Sequence, residues 1–259
     1  MKRFCSLFAL VMICIGSGSA YAAGGVRYLL VGDSTVALKS GWGPGFCADV
    51  VAGVTCIDMA KGGRSSKSYR ADGSWAQVMA RLKDNAKFAQ TYVLIQFGHN
   101  DQPGKGERST DVATEFPANM KAYVEEVKAT GAKPILVTPL SRRSFDASGH
   151  IRDGLGPWAD ADIAVGRETS VPVLDLHADS IALLNKIGKA EADTLAMAPP
   201  PDPNAPVATT STERNGDAAA KFDGTHLGAK GAAIFAHVVE TELIATVPET
   251  VGSFKTSAK

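Results

Sequence analysis

Four short stretches of this chain carry side chains that could activate a hydroxyl and stabilise an oxyanion. "GDST" (32–35) offers Ser34, and "DGTHLGAKG" (223–231) sets Asp223 and His226 three positions apart. "KGGRSSKSY" (61–69) opens with a glycine-rich turn, and "GHND" (98–101) offers Asn100. A hydroxyl is a poor nucleophile until a base takes its proton, and a histidine does that best when a carboxylate fixes its tautomer. Asp-x-x-His supplies both partners from one turn. A tetrahedral intermediate then needs donors aimed at its oxyanion. A backbone N–H at the nucleophile, a glycine N–H (Gly63, with Gly62 as competitor) and the Asn100 amide could provide three. The same residue types also build plain turns and caps. Their position relative to strands decides between the two uses.

Short apolar runs recur at 26–32 (VRYLLVG), 92–98 (YVLIQFG), 134–140 (PILVTPL) and 171–177 (VPVLDLH), with a shorter one at 54–58 (VTCID). They are continuous rather than alternating, as in strands buried on both faces of a parallel sheet. Between them lie helical patterns. Met120, Tyr123, Val124 and Val127 fall at i, i+3, i+4 and i+7, and Gly131 stands where that helix should stop. Residues 75–88, 157–169, 178–188 and 229–245 read as further helices. Strand alternating with helix predicts an α/β fold, a three-layer α/β/α sandwich around a mostly parallel sheet. Ligands bind such folds beyond the carboxyl ends of the strands, at the switch point of the sheet. "GDST" follows the first strand and "GHND" the 92–98 strand, where a site belongs.

With "GWG" (41–43) and "PLSRRSFD" (139–146) added, the stretches resemble, in order and strand context, the SGNH, or GDSL-type, hydrolases. More narrowly the chain is similar to the rhamnogalacturonan and pectin acetylesterase branch, with "GDST" in place of the GDSL spelling. The similarity runs from about Val26 to the final helix. It implies a flavodoxin-like sandwich with Ser34 as nucleophile, His226 as general base and Asp223 as its orienting acid. The implied oxyanion donors are the Ser34 N–H, the Gly63 N–H and the Asn100 side chain. No cofactor and no metal are implied. The expected activity is that of a carbohydrate O-acetylesterase working on an acetylated plant cell-wall polymer, rhamnogalacturonan or another pectin, through an acetyl-serine. A broader GDSL-type lipolytic esterase or thioesterase, or an acetylxylan esterase, would use the same triad. A carbohydrate-binding protein without catalysis would keep only the fold. Asp58 departs from the family, which carries asparagine there. The Pro-rich stretch 198–222, read as a surface loop, lies outside the similarity.

The rest of the chain bounds these readings. It has 259 residues, with 27 basic against 27 acidic ones. That balance argues against nucleic-acid and membrane-surface partners and leaves room for a local basic patch. Lys2 and Arg3, an apolar run from Phe4 to Ile15 and Ala20-Tyr21-Ala22 follow the order of a secretory leader cleaved after Ala22. A secreted or periplasmic protein is expected, with residues 23–259 as one catalytic domain. Cys47 and Cys56 remain in the mature chain, and an oxidising compartment makes a disulfide between them the natural expectation. No H-E-x-x-H or paired C-x-x-C metal pattern occurs. Lys61, Arg64, Lys67 and Arg70 cluster at the glycine turn, and Arg142-Arg143 follow a strand end. Of these, Arg64 and Arg143 are candidate clamps for the carboxylates of an acidic polysaccharide. Trp42 is a candidate stacking surface for a sugar ring.

Overall fold

The continuous apolar runs form one parallel sheet whose strand order, β2-β1-β3-β4-β5, is that of a doubly wound fold. The computed structural model describes residues 24–198 and 223–255. The leader expected at 1–22 and all but the first residue of the Pro-rich stretch lie outside the described residues. The strands are β1 (Val26–Gly32), β2 (Thr55–Asp58), β3 (Gln90–Gln96), β4 (Lys133–Val137) and β5 (Val173–Leu174). Successive side chains of β1 enter opposite cores, so both faces must be apolar. Tyr28 and Leu30 pack with Phe235, Val239 and Leu243, whereas Leu29 and Val31 pack with Val78, Met120 and Val124.

The helices that complete the sandwich are α1 (Gly43–Asp49), α2 (Ser68–Ala71), α3 (Ser74–Leu82), α4 (Glu115–Ala129), α5 (Gly156–Thr169), α6 (Leu176–Asp193) and α7 (Ala229–Thr246). Helices α1, α6 and α7 cover one face, and α3, α4 and α5 the other. The fifth strand is far shorter than its apolar run. Asp175 caps α6 by accepting from the Ala178 N–H, so Leu176 and His177 wind into the helix instead of extending the sheet. Helix α6 also runs on to Asp193, past a break at Gly188 where φ is +74°. Cys47 in α1 and Cys56 in β2 are disulfide-bonded, with Cα atoms 5.2 Å apart.

Strand β1 pairs with β2 on one side and β3 on the other, so the chain reverses its direction of winding between them. The loops leaving β1 and β3 therefore part on opposite faces and open a crevice. Ser34 leaves the end of β1 and Asn100 the end of β3.

Candidate active site

Ser34, Asp223 and His226 meet at the end of β1 although 192 positions separate Ser34 from His226. The Ser34 Oγ is 2.9 Å from His226 Nε2, and His226 Nδ1 is 2.9 Å from Asp223 Oδ2. Partial burial alone would raise the Asp223 carboxyl. The bonds it accepts from the His226 side chain and from the His226 and Thr225 N–H groups outweigh that and hold it below the ordinary carboxylate range. An ionised Asp223 only accepts, so Nδ1 carries the proton and Nε2 is left as the acceptor for the Ser34 hydroxyl.

The turn that presents Ser34 is fixed by a buried relay. The Trp42 indole donates to Gln96 (2.9 Å), Gln96 Nε2 donates to Thr35 Oγ1 (2.6 Å), and Thr35 Oγ1 donates to Asp33 (2.7 Å). Burial would raise Asp33, but His99 and Thr35 outweigh it and keep the carboxyl low. Ser40 Oγ closes the turn by donating to the Ser34 carbonyl at 2.7 Å. Trp42 is thus no sugar-stacking surface. It is buried beneath the turn, because its indole N–H and its ring both have partners inside.

Gly63 and Asn100 lie beside Ser34. Gly63 has φ +75°, a left-handed conformation that glycine adopts without strain. Asn100 Nδ2 donates to the Arg64 carbonyl at 3.0 Å. Arg108 Nη1 donates to both the Gly63 carbonyl (3.1 Å) and Asn100 Oδ1 (3.2 Å). The Arg64 side chain turns away from the crevice. Its guanidinium donates to Asp72 (2.8 Å) and to the Gly62 carbonyl (2.9 Å), bracing the turn rather than offering itself to a ligand. Lys61 also pairs with Asp72, while Lys67 and Arg70 pair with Glu115 and Glu126 on α4.

Arg143 departs from the sequence expectation as well. It is buried, and its guanidinium donates to the carbonyls of Asp223 (3.1 Å) and His226 (2.7 Å). It holds the loop that carries the Asp-His pair. Its neighbour Arg142 goes the other way, into the crevice, steadied by Gln102 Oε1 at 2.6 Å.

The crevice has a volume of about 410 Å³ and is lined by Ser34, His99, Asn100 and His226 together with Lys105, Arg108 and Arg142. No acidic side chain is among its described lining residues. Nothing in the sequence marks Lys105 and Arg108, since a loop reading "DQPGKGERST" has no period or motif. Their place right after "GHND" is the one hint available. Among the described residues no cluster of His, Cys, Asp and Glu side chains is arranged to hold a metal ion.

Asp58, the family's asparagine position, ends β2 and accepts from the Ala60 N–H at 2.9 Å. Its other oxygen is buried with no partner among the described residues, and burial pushes the carboxyl up to about 7.

The fold and the crevice define the class. The GDSL-like lipase/acylhydrolase family model matches residues 28–239; the chain belongs to that family and is a carboxylic ester hydrolase. The rhamnogalacturonan acetylesterase RhgT of Bacillus subtilis is 32% identical over 223 residues, covering 83% of this chain and 88% of that one. Among solved structures, YxiM of Bacillus subtilis superposes with a TM-score of 0.65 at 24% identity. That match covers 89% of this chain and 58% of the longer YxiM. Axe2, an acetylxylan esterase from Geobacillus stearothermophilus, superposes with a TM-score of 0.58 at 18% identity over 86% of this chain and 96% of its own. Both likenesses concern the fold.

Proposed function

We propose that the protein is a carbohydrate O-acetylesterase that deacetylates an acidic plant cell-wall polysaccharide of the rhamnogalacturonan type. The unbroken chain of hydrogen bonds from Ser34 through His226 to Asp223 carries the chemical part of this reading. As Ser34 Oγ attacks the acetyl carbonyl, His226 Nε2 takes its proton and Asp223 steadies the imidazolium. The oxyanion is met by the Ser34 and Gly63 N–H groups and by Asn100 Nδ2. Collapse breaks the bond to the sugar oxygen, which leaves with the proton from His226. Water then attacks the acetyl-serine, giving up its proton to His226; acetate departs and Ser34 regains its hydrogen. The chain needs no cofactor in this scheme.

Two observations support an acidic substrate. The named relative acts on rhamnogalacturonan, and the described crevice lining presents Lys105, Arg108 and Arg142 with no carboxylate to oppose them. Guanidinium matches a carboxylate in a planar, two-bond geometry. The leader at 1–22 supports export, so the mature protein should begin at Ala23.

Acetate release from acetylated rhamnogalacturonan, acetylated xylan and 4-nitrophenyl acetate tests the reading. Ser34→Ala should abolish release from all three while the fold persists; retained turnover overturns the mechanism. The rhamnogalacturonan rate should fall with added salt, because exposed ion pairs are screened over about 8–10 Å at physiological ionic strength, and the small-ester rate should hold. A preference for the neutral xylan overturns the substrate assignment and leaves the triad standing.

A further inference from the structure

We propose that Arg108 is a positioning residue of the oxyanion hole, a side chain that bonds both of its separate loop donors. The inference rests on the reading above, in which the Gly63 N–H and the Asn100 amide meet the oxyanion. Those donors come from different loops, one after β2 and one after β3, which meet through Asn100 Nδ2 on the Arg64 carbonyl (3.0 Å) and Ser66 Oγ on Asp101 (2.6 Å). Arg108 adds a bond to each donor's own peptide or amide oxygen, since Nη1 donates to the Gly63 carbonyl at 3.1 Å and to Asn100 Oδ1 at 3.2 Å.

Each bond has a directional consequence. A cation on Oδ1 allows one orientation of the Asn100 amide only. The flipped amide would turn its NH₂ toward the guanidinium and its oxygen toward the Arg64 carbonyl, a clash of like dipoles on both sides. The observed orientation commits one Nδ2 hydrogen to Arg64 and leaves the second for the crevice. On the other side, the two peptide planes flanking Gly63 are both held. The Gly62 carbonyl, in the plane that carries the Gly63 N–H, accepts from Arg64 at 2.9 Å. The Gly63 carbonyl, in the next plane, accepts from Arg108. A glycine with φ +75° has more accessible backbone states than any other residue, so its N–H stays on target only if both planes are fixed. Arg108 itself is steadied by donating from Nε to the Lys105 carbonyl at 3.3 Å. No partner for Nη2 is found among the described residues.

Preorganised donors matter in the transition state more than in substrate binding. The positioning role therefore separates from carboxylate reading by kinetics on 4-nitrophenyl acetate, which carries no carboxylate. Arg108→Ala should lower kcat about 10- to 100-fold with KM within about threefold, since loosening a donor costs less than deleting one, at about 10²–10³. Guanidinium chloride at sub-denaturing concentration should restore part of kcat, and equal sodium chloride should not. In an Asn100→Ala background the loss caused by Arg108→Ala should shrink to a few-fold, because one of the two groups it positions is gone. Arg108→Lys keeps the charge but loses the rigid fork, and it should lose most of the same kcat; it also serves if Arg108→Ala fails to fold. Unchanged kcat on the small ester in either variant overturns the proposal, as does a full multiplicative loss in the Asn100→Ala background. If Asn100→Ala alone leaves kcat intact, the oxyanion reading has failed instead.

Discussion

Asn100 spends one amide hydrogen on Arg64 and its oxygen on Arg108, so its remaining hydrogen is aimed before any substrate arrives. Asn100→Ala should therefore cut kcat on a small acetyl ester by about 10²–10³ with KM nearly unchanged; a change confined to KM would assign Asn100 to ground-state binding. Asp223 fixes the His226 tautomer by accepting at Nδ1. Asp223→Asn offers an amide there and favours the wrong tautomer, so kcat should drop by about 10³–10⁴ while circular dichroism stays native. The two adjacent arginines separate cleanly by substrate. Arg142→Ala should weaken turnover of acetylated rhamnogalacturonan and spare the small ester, because Arg142 lines the crevice and touches no triad residue. Arg143→Met should instead harm both substrates and lower Tm. It strips donors from the Asp223 and His226 carbonyls, at a cost of roughly 2–4 kcal/mol. A small-ester rate that survives Arg143→Met would return Arg143 to substrate binding.

At the scale of elements, α1 matters because α7 begins just after the Asp-His loop and packs against it. Gly45 makes that contact possible. A Cβ there would stand 2.7 Å from both the Ala232 carbonyl and the Ala236 methyl. Gly45→Ala should push the helices apart, costing about 1–3 kcal/mol as other overpacked cores do. A Tm equal to that of the parent protein would show that the pair gives way freely. The Cys47–Cys56 bridge ties the same helix to β2. It closes a loop of nine positions, and in the chain-entropy account its loss costs about 2–3 kcal/mol. The double variant Cys47→Ser/Cys56→Ser should melt roughly 5–10 °C lower with kcat unchanged, since neither sulfur approaches the crevice. The apolar run at 26–32 announces β1, and the stripe Met120, Tyr123, Val124 and Val127 announces α4, because burial on both faces or on one stripe is written into local pattern. The run at 171–177 misleads, because a capping carboxylate at Asp175 turns its last two residues into the first turn of α6.

For the whole molecule, buried carboxyls set how stability responds to pH. Burial raises Asp101 to about 6, Asp58 and Glu242 to about 7 and Glu240 to about 8, each opposed or aided by its neighbours. These groups bind protons more tightly in the folded protein than in the unfolded chain. Their contribution is complete near pH 4 and is lost as pH rises through those folded values. Asp33 and Asp223 have the opposite sign, and their contribution is lost as pH falls below the ordinary carboxylate range. Stability should peak in mild acid and decline toward pH 8, a course that Tm against pH will trace. Asp58→Asn removes one of the titrating groups and should flatten the alkaline side. Partial exposure holds the gain at pH 8 to on the order of 1–3 kcal/mol; an unchanged slope would mean that Asp58 is well solvated.

Ser34, Gly63, Asn100, Asp223 and His226 were legible in the sequence because each sits in a short motif at the end of a strand or ahead of a helix. There, local residue types dictate backbone geometry, and strand ends gather at one edge of a parallel sheet. What the sequence alone determined, then, was the layered fold, the family and the residues proposed to react. The tertiary structure decided where the long side chains go. Arg142 and Arg143 are neighbours of the same type, yet one faces the crevice and the other reaches 80 positions along the chain to the Asp223 carbonyl. Arg64 and Trp42 likewise turn inward to partners supplied by other loops. Arg108 joins donors from two of them. A guanidinium or an indole goes wherever unpaired acceptors are found, and those acceptors are brought together only when distant loops converge on the end of the sheet.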